Sequence, residues 1–139
     1  MIKVVVFIRK LPGTDRAHLR DYYENHHAPL VNRLLPFYCL YRRNYFDEPV
    51  RSGPLDIDYD VVTELGFSTK ADYDAWLDAL SDPEILRQIR EDERNFIEQG
   101  ATRMVLVTPL ATRSAWCSTR ADHLVATALL RWRARRRAP

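Results

Sequence analysis

The chain has 139 residues, 46% of them hydrophobic and 29% charged, with a formal net charge of +2. That size suits one domain with a single core, and no stretch approaches the roughly 20 apolar residues of a membrane span. Six arginines against one acid lie from Ala115 onward, so the basic balance belongs to that end and gives no reason to expect nucleic acid binding by the rest.

Ile2 to Arg9 is rich in β-branched residues and predicts a buried strand, closed by the breaker Pro12-Gly13. Its apolar run is too short for a secretory signal, so a cytoplasmic protein is expected. Thr14 or Asp15 then caps a helix. Leu19, Tyr23 and His27 fall at i, i+4, i+8 and Leu19, Tyr22 and His26 at i, i+3, i+7, so both histidines extend its apolar stripe. Pro29 biases Ala28 away from the α region and predicts a helix stop there. A histidine pair beside Tyr22, Tyr23 and Glu24 is either an acid/base cluster or a cationic cap on a helix end, and the residues alone leave both readings open.

Phe37 to Phe46 predicts a strand with Cys39, Tyr41, Arg43 and Tyr45 on one face, and Tyr38, Leu40, Arg42, Asn44 and Phe46 on the other. Glu48 to Leu55, with two prolines and a glycine, predicts a hairpin loop. In Asp58 to Phe67 the residues Tyr59, Val61, Thr63, Leu65 and Phe67 alternate with Asp58, Asp60, Val62 and Glu64, giving a strand with one acidic face. Thr69 and Asp72 form a capping box ahead of the stripe Tyr73, Trp76, Leu77 and Leu80. After Ser81-Asp82-Pro83-Glu84 a second segment carries Ile85, Ile89, Asp92 and Phe96 along one stripe, which makes Asp92 an inward acid. Gly100 stops the helix, and Ala101 to Thr108 supplies a last strand before Pro109.

The order β-α-β-β-α-β is that of the ferredoxin-like α+β fold: a four-stranded antiparallel sheet with both helices on one side. Its other face needs a cover, and a second copy packed sheet to sheet gives a homodimer. Residues 1–109 are therefore expected to form the domain and residues 110–139 a basic extension, partly helical or disordered. The separated Cys39 and Cys117 predict ordinary thiols rather than a disulfide framework.

The chain resembles the EthD family of small dimeric α+β barrel proteins. The likeness rests on Arg9, the run Asp21-Tyr22-Tyr23-Glu24-Asn25-His26-His27-Ala28-Pro29-Leu30, Tyr41-Arg42-Arg43, the strand Tyr59 to Leu65, Trp76, and Glu91-Asp92-Glu93 before Phe96. The resemblance implies a ferredoxin-like fold paired into a barrel, with a ligand cavity between sheet and helices. It also implies that His27, the histidine before Ala28-Pro29, is a site residue, and less directly His26. Members of the family are associated with ether breakdown beside oxidative enzymes and with dehydration of aromatic polyketide intermediates. Neighbours in the wider superfamily include cofactor-free monooxygenases and haem enzymes.

A dehydratase or lyase needs a base to remove an acidic C–H proton and an acid to protonate the departing hydroxyl. His27 suits the first role, and Asp92 or Tyr23 the second. Arg43 and Tyr41 are placed to hold an enolate or phenolate by charge and π contact, while Trp76 walls a cavity or simply fills the core. Asp92 has a structural alternative, an ion pair with Arg9 or Arg43. Adjacent histidines point about 100° apart on a helix, unlike a metal-binding i, i+4 pair, so no metal is expected. No cofactor is expected either, haem on His27 alone having no support elsewhere in the chain. Three functions stay open: a cofactor-free enzyme, of dehydratase or monooxygenase type, acting on a hydrophobic aromatic or polyketide-like compound; a non-catalytic accessory dimer that hands such a compound to an oxidative enzyme; and an interaction dimer whose basic tail finds an acidic partner.

Overall fold

The computed structural model describes residues 1–47 and 57–110. The predicted hairpin loop and the basic extension after Leu110 lie outside the described residues. The core forms because β1 (Ile2–Ile8) and β3 (Val61–Phe67) turn alternate side chains inward: Val4, Val6 and Ile8 meet Val61, Thr63, Leu65 and Phe67, all buried. β1 lies antiparallel to β3 with Val6 opposite Thr63, and antiparallel to β4 (Arg103–Val107) with Val5 opposite Val105. β2 (Leu40–Tyr45) borders β3, giving the sheet order β2-β3-β1-β4. This is the ferredoxin-like α+β arrangement that the element order predicts, with each helical crossover divided in two.

The first crossover departs from expectation. Pro29 does not end the helix: α1 (Arg16–Tyr22) passes through a π-turn at Tyr23–His27 into α2 (Ala28–Leu34). The Ala28 N–H donates to the Tyr23 carbonyl, five residues back rather than four. A proline inside a regular helix lacks its own donor and presses its ring on the carbonyl four residues earlier. The wider turn opens the helix where that clash would fall, so the chain continues with a bend instead of a stop. Asp15 is the cap, its carboxylate accepting from the His18 N–H at 2.7 Å.

The second crossover follows its signals. Thr69 and Asp72 make the expected capping box at the head of α3 (Lys70–Leu80), and Asp82 caps α4 (Pro83–Glu93). Trp76 is core, 2% exposed, with its ring 5.2 Å from that of Phe67. Both middle strands are shorter than the residue pattern suggests. Phe37 N–H bonds the Leu35 carbonyl in a turn before β2. Before β3, the Asp60 carboxylate takes the Lys10 N–H at 2.9 Å and Arg16 Nε at 3.2 Å, which spends that acid on tying loops together. The acidic face of β3 is reduced to Glu64, paired with Lys3 at 2.6 Å.

The opposite sheet face carries Val5, Val62 and Val105 among its polar residues, and Val105 is exposed. No helix among the described residues is long and apolar enough to cross a membrane.

Candidate functional site

The π-turn decides which histidine faces inward. An extra residue in the turn rotates the side chains that follow it, so the stripe that predicts both histidines on the apolar side holds for one only. His27 is 6% exposed, while His26 lies on the surface against Tyr22, ring centroids 4.7 Å apart. The structure does not bring His26 to the site.

His27 Nδ1 stands 2.7 Å from Asp92 Oδ2, across from α4. A carboxylate only accepts, so Nδ1 carries a proton and donates it, and in the neutral form of the ring the lone pair is on Nε2. Asp92 also accepts from Tyr22 Oη at 3.0 Å. Burial alone would raise the Asp92 pKa, but the hydrogen bonds and charges of His27, Tyr22 and His26 outweigh it and hold the carboxyl below its usual range. The structural alternative of an Asp92 ion pair with an arginine is corrected here: Arg9 is engaged by Asp58 and Glu98, and Arg43 by Glu24. Phe96, fully buried, packs on the other side of the imidazole, 4.9 Å between ring centroids.

A cavity of about 100 Å³ lies between the helices and the inner sheet face. Of the residues singled out from sequence, His27, Tyr23, Tyr41 and Trp76 line it, and Asp92, Arg43 and His26 do not. Much of the wall is aliphatic, Val6, Ile8, Leu65 and Ile89 among it. Tyr23 is buried, its hydroxyl 2.8 Å from Thr63 Oγ1 and 3.4 Å from Tyr41 Oη. Burial pushes both phenols well above the usual tyrosine range, so neither gives up its proton easily.

Arg43 is engaged by an acid from the first crossover. Its guanidinium grips Glu24 with two hydrogen bonds, 3.0 and 2.6 Å, while Tyr45 Oη donates to the same carboxylate at 2.7 Å. The Arg43 hydrogen bonds, more than anything else, hold the Glu24 pKa below the carboxylate range. Arg43 also lies over the ring of Tyr41, a cavity-wall residue, 4.6 Å from its centroid.

Sequence reasoning missed two polar wall residues, Glu93 and Thr102. Glu93 follows Ile89 at i+4 and so shares its stripe, which was a legible signal. Thr102 Oγ1 is buried and has no hydrogen-bond partner. No group of three or more His, Cys, Asp or Glu side chains placed to hold a metal occurs among the described residues.

With this geometry in hand, the chain compares with known proteins as follows. The EthD domain model matches residues 11–100. The conidial pigment biosynthesis dehydratase EthD of Metarhizium robertsii is 28% identical over 106 residues, covering 68% of this chain and 72% of that protein. Among solved structures, an ethyl tert-butyl ether D (EthD) family protein of Bacillus halodurans superposes with a TM-score of 0.54 at 15% identity, over 79% of this chain and 100% of that one. A dimeric protein of ferredoxin-like fold from Bacteroides fragilis superposes with a TM-score of 0.50 at 8% identity, over 78% and 95%. At such identities the structural likenesses establish the fold alone.

Proposed function

The chain belongs to the EthD domain family, and from that premise we propose that it is a homodimeric, cofactor-free acid/base enzyme of dehydratase or lyase type acting on a small oxygenated aromatic compound. The observation that carries this reading is the His27–Asp92 pair at the wall of an otherwise largely apolar cavity. The imidazole is oriented by a carboxylate through Nδ1, so that in its neutral form Nε2 is the basic nitrogen, which is the arrangement a general base needs. In the reaction, Nε2 takes the proton of a C–H next to a carbonyl. The C–H electron pair becomes the new double bond, the C–O bond on the next carbon breaks, and the hydroxyl leaves as water once an acid has protonated it.

The dehydratase name of the Metarhizium relative supports the reaction class. The volume limits the ligand to a small one: about 100 Å³ is less than the 150 Å³ or so of an engineered cavity that takes benzene, so even a one-ring compound enters only as the walls move apart. A haem macrocycle does not fit that space. The valine-bearing sheet face and the dimeric structural relative support pairing of two copies.

Native mass spectrometry tests this reading, with the aldol adduct of benzaldehyde and acetone as probe, a neutral β-hydroxy ketone of one ring. The expected species is a dimer carrying the adduct or its dehydration product. A monomer contradicts the assembly, and an empty protein in excess probe contradicts the ligand. Adduct bound and left unchanged turns the reading toward the accessory carrier.

A further inference from the structure

Removal of a C–H proton by His27 leaves open which group serves the oxygen of the ligand, and the candidates expected from sequence do not fill that role. Asp92 is held ionised by His27 and does not line the cavity. The Tyr23 hydroxyl is already engaged by Thr63 Oγ1 at 2.8 Å and by Tyr41 Oη at 3.4 Å. Glu93, one residue beyond Asp92 at the end of α4, lines the cavity together with His27. One of its oxygens accepts from Gln99 Nε2 at 3.2 Å. Thr102, whose buried hydroxyl lacks a partner, lines the same cavity. No lysine or arginine lines that cavity among the described residues.

Resting on the proposed ligand cavity, we propose that Glu93 is a second ligand-touching group, a carboxyl that donates its proton to a neutral oxygen of the bound aromatic compound, and that the site therefore selects neutral ketones and alcohols over carboxylates of the same size. The walls supply a donor at Glu93 and a hydroxyl at Thr102, and no lysine or arginine among the described residues to balance a ligand anion. A carboxylate ligand would bring a second negative charge beside Glu93 in an apolar space, which is costly. Burial pushes the Glu93 carboxyl above its usual range, against the opposing pulls of His27, Gln99 and Arg90 and with the Asp92 charge adding to the rise. Glu93 thus keeps its proton to higher pH than Asp92. Two neighbouring carboxyls with pKa values driven apart divide the work: one orients the base and the other is the acid. In the elimination, the Glu93 proton passes to the departing hydroxyl, the C–O pair goes to oxygen and water is released. The proton that His27 took from carbon then restores the Glu93 carboxyl, so no further reactant is consumed.

The experiment measures binding of acetophenone and of benzoate across pH to the full chain and to Glu93→Gln, Glu93→Ala and His27→Ala. Acetophenone is expected to bind the wild type and to weaken by about tenfold or more as pH rises through the Glu93 titration, the cost of one lost donor. Glu93→Gln, whose amide always donates, is expected to bind with a flat profile, and Glu93→Ala to bind weakly throughout. His27, Asp92, Arg90 and Tyr23 also face Glu93 or carry charge near it. Persistence of the profile in His27→Ala assigns it to Glu93, and its disappearance there overturns the proposal. A sloping profile in Glu93→Gln, or benzoate binding as tightly as acetophenone, overturns it as well. Acetophenone bound with a flat profile in the wild type removes the role of Glu93 and leaves the cavity reading standing. No acetophenone binding at any pH removes both.

Discussion

Phe96→Ala is expected to cost about 3–5 kcal/mol of stability, the range for deleting a fully buried aromatic ring. Phe96 follows α4 and is 0% exposed, stacked at 5.1 Å on Tyr22 and lying 5.3 Å from Tyr23 and 4.9 Å from His27. Its backbone carbonyl also accepts from the Leu11 N–H at 2.9 Å, which fixes the ring between the π-turn and the end of β1. The hole left by alanine cannot be closed by side chains held from two sides. Against a total of about 5–15 kcal/mol for an ordinary domain, the loss is a large share of what keeps the chain folded. Urea titration checks it: the midpoint falls with the slope unchanged, and a loss under about 1 kcal/mol would mean that the ring is not wedged as described.

Asp92→Asn is expected to lower turnover by about 10²–10⁴-fold while leaving ligand binding in place. Asp92 is a positioning residue. It fixes the imidazole with Nδ1 protonated, and an asparagine can turn its amide nitrogen toward the ring and favour the opposite tautomer, which puts the proton on the nitrogen meant to act as base. A structural consequence goes with it. A carboxyl whose pKa is lower in the folded than in the unfolded chain stabilises the fold above the ordinary aspartate range, and that contribution disappears as pH falls through the lowered value. The stability gap between wild type and Asp92→Asn is therefore present at neutral pH and closes in acid. An Asp92→Asn protein with full turnover, or a gap that is constant with pH, contradicts the assigned role.

Much of this architecture was legible from short-range pattern. The β-branched run of Ile2 to Arg9 marked β1 as a buried strand, alternation in β3 put Thr63 and Leu65 on one face, the capping box marked the start of α3, and the stripe through Ile89 made Asp92 an inward acid. The Tyr41, Arg43 and Tyr45 face of β2 was also legible, but what Arg43 does there was not. Its partner Glu24 comes from a different element, 19 positions earlier, and spacing along one strand carries no information about such a contact. The histidine pair shows the other limit. A period of 3.6 assumes a regular helix, whereas the hydrogen bond from Ala28 to Tyr23 spans five residues and rotates His26 out and His27 in. Pro29 signalled that something breaks at that point, and the chain answers with a wide turn instead of an end. Glu93 shares the stripe of Ile89, but a charged residue beside a helix end is ordinarily solvated, so that signal was outweighed until the fold placed the residue against the cavity.

That His27 is the base that removes a C–H proton is tested most directly by following dehydration of the benzaldehyde–acetone adduct to benzylideneacetone, with wild type and His27→Ala side by side and acetophenone binding measured on both. Product formation by the wild type above the buffer rate, lowered by about 10²–10⁴-fold in a His27→Ala protein that still binds acetophenone, is the predicted result. Equal rates for the two proteins, whether both fast or both no faster than buffer, would contradict it.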